Sequence, residues 1–557
     1  MSTPPPAPPP EGAAKARQRR RRLATAQRRH LAARSHRAAH SARKGQASRV
    51  SRWLERSFFT LGALAALYGI GAWLLVAPGH VLPATFTFFG LTAAYLLWHL
   101  WRYSLLFFYL VAFFTFLYGR VAVVTATGYR AEDAVGLFGT YARDLAVVNR
   151  TLGMYHLSLV LTVSTAIALT RVLPRRLSGT PAHHALRRMA APLATFTRPA
   201  WFMTPGTRRV FLLCFYAALI PYLVYLAMVG WFVATEGYYA FQQNRSNAAP
   251  EALRMFNDVM LVSYLLYLAT FPRLRSLLTP TAVFVAARAA SLVTMERNTA
   301  VLPMIAVLVY LLARVPLSKL WGWSRRATVL IVIGLTVAGS IALAAFSHIN
   351  ASRGTHGVAS RGLDGILEFF YGQGTTINIS VLYQRYSFET PPGRIYSLGP
   401  ALEFIKLRLS PLVGYGDQYA YLGSHNTKHA ELGHSFAHWF SYQHMNEDYI
   451  QGASWGSSAP MELWVDFGLT GVILGALAYG VLIALLQHWI SHPGLMVFVA
   501  LMAVRGVVFS PRASFTEFLL PFNVRALAAI ILIFAVRWIL AHTPWWGRLN
   551  SEEPATT

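Results

Sequence analysis

Apolar residues run along this chain in blocks rather than in alternation. Blocks near 58–77, 82–101, 103–119, 152–173, 210–234, 256–272, 277–293, 300–315, 327–348, 461–487, 494–510 and 526–543 each approach the roughly 20 residues that carry a helix across a bilayer. In hydrocarbon a backbone must pair its donors and acceptors within its own segment, and these runs lack the two-residue alternation of a barrel strand. The pattern predicts an all-α polytopic integral membrane protein with about twelve transmembrane helices.

The apolar pattern gives way at length once, between the ninth and tenth blocks, where residues 349–460 form a polar loop. Within it GLDGILEFFYGQGTTINISVLYQRY, 362–386, places apolar residues at helical spacing and is interrupted at Gly372 to Gly374. That predicts two short amphipathic helices, lying on the membrane surface or capping the bundle. GPALEFIKLRLSPLVGYG, 399–416, predicts a third, closed by Pro411 and Gly414. The expected organisation is a basic tail (1–56), spans one to nine (57–348), the loop (349–460), spans ten to twelve (461–543) and a second tail (544–557).

Composition agrees, with 55% hydrophobic and 13% charged residues. The net charge of +28 invites a nucleic-acid reading, but residues 1–56 hold fifteen Lys/Arg against two Glu, +13 in a tenth of the chain. A tail reading STPPPAPPPEG and then RQRRRR has no core pattern, and its charge suits anionic lipid headgroups at about 1 kcal/mol per basic residue near the surface. Membrane lipids, not nucleic acid, are the expected partner, and the tail reads as an uncleaved anchor. Arg175, Arg176, Arg187, Arg188, Arg198, Arg208, Arg273, Arg275, Lys319, Arg325 and Arg326 fall on the tail's side if there are twelve spans. Basic residues resist export, so both termini are expected in the cytoplasm of a bacterial plasma membrane and the loop outside it. The loop carries seven basic and eight acidic residues. Cys214 is the only cysteine, which excludes an intrachain disulfide and a cysteine metal cluster.

No GxxxxGK[ST], GxSxG or HExxH motif occurs, and no cytoplasmic segment is long enough for a nucleotide-sugar domain. Any glycosyl donor must then be lipid-linked or come from outside. Arginines gather at the outer ends of spans: Arg297, Arg353, Arg361, Arg385, Arg505 and Arg512. A guanidinium is costly near hydrocarbon unless it faces a cavity or a partner, and its planar fork suits phosphate. The alternative is that each snorkels or pairs with Glu296, Asp364, Glu368 or Glu517. Glu462 and Asp466 stand four apart at the entrance of the tenth span, on one helix face, either as a general base or as helix-start charges. SHNTKHAELGHSFAHWFSYQH holds His425, His429, His434, His438 and His444, whose two HxxxH pairs could face a metal. Gly433 breaks the helix between the pairs, so the reading is a base, a sugar contact or satisfied loop histidines, with no metal and no cofactor. Loop aromatics including Tyr383 and Trp439 could stack on sugar rings or build a small core.

ERNTAVLPMIAVLVYLL, 296–312, is similar to the Arg-led start of a span in bacterial oligosaccharide repeat-unit polymerases. GSSAPMELWVDFGLTGVILGALAYG, 456–480, resembles their post-loop stretch, with an acidic residue, an aromatic and FGxxG. Weaker likenesses occur at SRGLDG, 360–365, and RGVVFSPRASF, 505–515. On these residues the chain resembles the O-antigen polysaccharide polymerase (Wzy) family. The resemblance implies a GT-C-like bundle and a metal-independent glycosyltransferase at the outer membrane face. Such an enzyme moves a growing glycan from a polyprenyl pyrophosphate carrier onto an incoming lipid-linked repeat unit, alongside a flippase and a chain-length regulator. The expected roles are pyrophosphate binding by Arg297 and Arg361 with Arg353 or Arg512, proton abstraction by Glu462 or His434, and glycan contact by Tyr383, Arg385 and Trp439. The rival readings are an O-antigen-ligase-like transferase, a transporter or flippase of lipid-linked sugars, and a structural membrane subunit.

Overall fold

A computed structural model describes residues 55–75, 77–128, 145–172, 199–243, 245–314, 363–386, 390–409, 418–423 and 425–550, with Trp53. Regular structure among the described residues is helical throughout. Eleven helices are long and apolar enough to cross a membrane, and they coincide with eleven of the twelve predicted spans. The ninth, 327–348, lies outside the described residues, as do the start of the loop and the basic tail through residue 52.

The spanning helices are α1 (Glu55–Leu74), α2 (Pro78–Trp98), α3 (Leu100–Phe113), α4 (Leu145–Val172), α5 (Pro205–Glu236), α6 (Glu251–Ala269), α7 (Leu274–Ala290) and α8 (Arg297–Arg314). After the loop come α14 (Ala459–Ile490), α15 (Leu495–Phe509) and α16 (Val524–Ala541). The third block is longer than its apolar run suggests. A turn of π-helix, Phe114–Tyr118, carries α3 into a further helix, Gly119–Thr127.

α14 packs along α4. Small side chains permit the approach: a Cβ on Gly480 would lie 2.7 Å from the Thr162 carbonyl oxygen, and the Thr162 hydroxyl donates to the Ala476 carbonyl at 3.2 Å. Close backbone contact of this kind is how helices associate where lipid offers no hydrophobic drive. α14 is broken at Gly468, whose φ of 61° and ψ of −148° suit glycine alone. Its first two turns therefore point independently of the rest.

The loop folds into α9 (Leu363–Gln373), α10 (Thr376–Tyr386), α11 (Gly399–Leu409), α12 (Thr427–Leu432) and α13 (Phe436–Ile450). The interruption expected at Gly372 to Gly374 is present, and α9 and α10 cap the bundle. Ile377, Ile379 and Ser380 are wholly buried, and α10 packs against α4, where Ser380 hydrogen-bonds Tyr155. The first turns of α14 then hold the loop down. Asp466 accepts the main-chain N–H groups of Tyr396 at 3.0 Å and Ser397 at 2.7 Å.

Candidate functional site

At the end of the bundle nearest the loop, α6, α8, α15 and α16 leave a cavity of about 250 Å³. Arg254, Arg505 and Arg525 line it, with Asp258, Glu296 and Glu517. Two of the arginines are engaged. Arg525 reaches Glu251 at 2.7 Å and Asp258 at 3.2 Å, and Arg254 stands 3.6 Å from Glu251. Arg505 differs, because it has no hydrogen bond or ion pair among the described residues and its Nε is buried without an acceptor. Behind the cavity Arg288 is 1% exposed, donates to Asn257 Oδ1 at 2.8 Å and leaves Nε and Nη2 without acceptors. A buried guanidinium with unused donors is expensive unless an anion takes them, so the arrangement suits a compact anionic group.

A second cavity of about 400 Å³ adjoins the first beneath α11 and α13. The two share Phe509, Glu517, Leu520 and Asn523 as a common wall. Phe404, Leu407 and Leu422 give the second cavity apolar faces, while Glu403, Ser435, His438, Glu462 and Arg512 give it polar ones. Apolar walls with a few convergent polar groups are what a small-molecule site needs.

Glu517 opens a 3₁₀ segment, Glu517–Phe522, that returns from α15 towards α16. This segment lies directly on α15 because residue 506 is glycine. A Cβ there would sit 2.4 Å from the Glu517 carbonyl oxygen and 2.5 Å from Phe518 Cα. The contact seats Glu517 one residue away from Arg505. Burial pushes the Glu517 carboxyl up to about 7, against the opposing pull of Arg505.

The two groups expected to act as bases have defined partners. Glu462 is 1% exposed and accepts from Ser457 Oγ at 2.6 Å, Ser514 Oγ at 2.5 Å and the Phe515 N–H at 3.0 Å. His434 Nε2 accepts from Lys406 Nζ at 2.8 Å, and its main-chain N–H donates to Glu403 at 2.6 Å. Burial, and then Lys406, hold its imidazole below the usual range.

The histidine spacing predicted pairs that the fold rearranges. The turn at Gly433 folds α12 back on α13, so His429 stacks on His438 with ring centres 3.8 Å apart, and His425 stands 4.8 Å from His438. His429 contacts Glu403 at 3.2 Å, and His438 hydrogen-bonds the Tyr449 hydroxyl at 2.9 Å. Burial is the main reason the His438 imidazole is held well below its usual range. Among the described residues no group of three His, Cys, Asp or Glu is arranged to hold a metal ion.

Arg297 begins α8 next to Glu296 but does not line either cavity. Arg512 lines the second cavity and donates to the Gln373 carbonyl at 3.3 Å and its Oε1 at 3.1 Å, so it also ties α9 to the bundle. Arg353 and Arg361 lie outside the described residues. Tyr383 is half-buried with its ring against Phe436, and Arg385 is exposed on the same helix. Trp439 is 4% exposed and packs on Tyr396 and Phe436, in the small core supporting the second cavity. Arg254 carried no role in the sequence reading, and Glu517 stood there only as an ion-pair partner for the outer arginines. The available signal was Arg505 itself, a charge inside an apolar run.

The family model described as O-antigen polysaccharide polymerase Wzy matches residues 204–542, more than half of the chain and the stretch that supplies both cavities. No curated protein and no solved structure matches the chain.

Proposed function

We propose, from the premise that the chain belongs to the O-antigen polysaccharide polymerase Wzy family, a division of labour between the two cavities. The chain polymerises lipid-linked O-antigen repeat units at a membrane. In our reading the donor is a glycan on a polyprenyl pyrophosphate, and its pyrophosphate enters the first cavity. The observation carrying this is Arg505, beside Arg254 and Arg525, which makes no hydrogen bond or ion pair among the described residues and whose Nε is buried without an acceptor.

As the glycosidic carbon–oxygen bond breaks, charge grows on the leaving pyrophosphate, and fixed guanidiniums stabilise it without reorganising. Arg297, next in sequence to Glu296 of the first cavity, Arg512 in the second cavity and the loop's Arg353 and Arg361 are proposed as further donors to the same charge. The acceptor repeat unit enters the second cavity, with Tyr383 and Arg385 proposed as glycan contacts further along the loop. Glu462 and His434 are engaged by neighbouring donors: Glu462 ties Ser457 and the first turn of α14 to Ser514 and Phe515, and His434 ties the turn before α13 to α11 within the loop. The transfer needs no metal, because arginines occupy the place where a cation would neutralise the leaving group.

The first cavity takes its lining from the start of α6, at the end of that helix opposite the basic connection at 273–275, which supports the outer face of the plasma membrane, with cytoplasmic termini. A flippase delivering repeat units and a chain-length regulator are the partners this reading requires.

The test is a gel of surface and lipid-linked glycan from a deletion strain carrying wild type, Arg505→Ala or Arg505→Lys. Arg505→Ala should accumulate single repeat units at normal protein level, with turnover down by roughly 10²- to 10³-fold as for loss of one preorganised donor. Lysine should restore little, because it lacks the planar fork. An unchanged ladder from Arg505→Ala would overturn the donor assignment, and activity lost to a chelator would overturn metal independence.

A further inference from the structure

We infer that Glu517 is the general base of the transfer, taking the proton from the acceptor sugar hydroxyl at the wall between the two cavities. The inference rests on reading the first cavity as the pyrophosphate site. Glu517 is the carboxylate that lines both cavities. The others lining them are committed elsewhere or face one side only. Asp258 is paired with Arg525, Glu403 accepts from His434 and His429, Glu462 accepts three hydrogen bonds, and Glu296 borders the first cavity alone. The Glu517 carboxylate accepts no hydrogen bond from the described residues.

Position supplies the mechanism. An acceptor sugar in the second cavity meets Glu517 on the wall, with Arg505 on the far side. The acceptor O–H gives its proton to the Glu517 carboxylate while its oxygen bonds to the anomeric carbon of the donor glycan. The bond from that carbon to the pyrophosphate oxygen breaks, its electron pair stays on the oxygen, and the polyprenyl pyrophosphate leaves against the arginines. The glycine at 506 fixes the distance between base and cation through backbone contact rather than through a mobile side chain.

The charged surroundings of Glu517 are mixed. Arg505 faces it from α15 and Tyr479 from α14, with Arg525 and Asp258 across the first cavity. Arg512, His438, Glu403 and Glu462 border the second. A carboxyl titrating at about 7 is divided between acid and base forms at neutral pH, the range in which a general base works best. Only the ionised form can accept the proton, so the rate rises with pH through that value and levels above it.

The experiment uses the purified full chain and, as substrate, the lipid-linked repeat unit extracted from cells deleted for its gene. Polymer formation is followed from about pH 5.5 to 8.5, across the carboxyl-to-amine titration range, for wild type, Glu517→Gln, Glu517→Asp and Arg505→Ala. Thermal stabilisation by inorganic pyrophosphate is measured in parallel. Glu517→Gln should lose roughly 10²- to 10⁴-fold in rate and still be stabilised by pyrophosphate. Glu517→Asp should keep part of the rate with a displaced acid limb. Near wild-type polymerisation by Glu517→Gln overturns the inference, as does a wild-type rate that is flat with pH. Should Glu517→Gln fail to fold, the wild-type profile and Glu517→Asp decide alone. If pyrophosphate stabilises wild type and Arg505→Ala equally while Glu517→Gln is inactive, the donor assignment falls and the base stands.

Discussion

Gly506→Ala tests whether the wall between the cavities works as a spacer. The added methyl would be 2.4 Å from the Glu517 carbonyl oxygen and 2.5 Å from its carbonyl carbon. Ordinary contact begins at 3.4 Å, and the obstructing atoms are main chain, not the end of a flexible side chain, so the 3₁₀ segment must retreat by about 1 Å. Overpacking of this kind costs about 1–3 kcal/mol, and a misplacement of about 1 Å between reacting groups costs on the order of 10² in rate. The variant should therefore fold with a lowered melting temperature, bind pyrophosphate, and polymerise about a hundredfold more slowly in the extracted-substrate assay. Gly90→Ala is the control. A Cβ there meets nothing within 4 Å, and alanine gains up to about 1 kcal/mol of helix propensity. If Gly506→Ala polymerises like Gly90→Ala, the contact does not set the active geometry and the spacer argument is wrong.

Glu462→Gln should behave as a structural lesion. Its amide would face three donors, costing about 1–3 kcal/mol for the poorly satisfied buried groups; calorimetry should show the loss, while the acid limb of the rate profile stays near pH 7, and disappearance of that limb would reinstate Glu462 as the base. Gly480→Val should separate α14 from α4, because even a Cβ at that position would approach Thr165 Cβ to 2.6 Å. A fall in thermal stability of the detergent-solubilised protein, out of proportion to any change in pyrophosphate binding, is the expected result.

The spans were legible because the signal is local: about twenty apolar residues in a row need no distant partner to be read. The break between α9 and α10 was legible for the same reason, since glycine punctuates the pattern where it occurs. The break at Gly433 between the two histidine pairs was legible in the same way, but not the fold-back that brings the pairs face to face. Gly433 ends α12, and the stacking of His429 on His438 crosses that turn. Aromatic density pointed towards sugar, but Trp439, Tyr396 and Phe436 were drawn into the loop's own core. The cavities themselves draw on Arg254, Arg505 and Arg525, which lie on three different spans. Which of the many arginines meet is set by helix packing, and Arg505 was distinguished in the sequence only by its position inside an apolar run. Glu517 was legible only as an ion-pair partner for those arginines, because its place on the wall between the cavities depends on a missing side chain at position 506.

One wall between two chambers also has a statistical consequence. Under the division of labour proposed above, the lengthened glycan after each transfer belongs to the carrier whose sugar end lay in the second chamber, while the spent carrier occupies the first. The next addition requires the spent lipid to depart and the long one to cross over, exposing its own pyrophosphate to Arg505. Every cycle thus contains a branch at which the chain either changes chambers or diffuses away. A constant probability at that branch yields a geometric distribution of lengths, with each rung of the ladder weaker than the last by one fixed ratio. On the same scheme, a modal length needs the crossing to be biased with chain size, so a single fixed ratio between rungs is the signature of this chain acting alone.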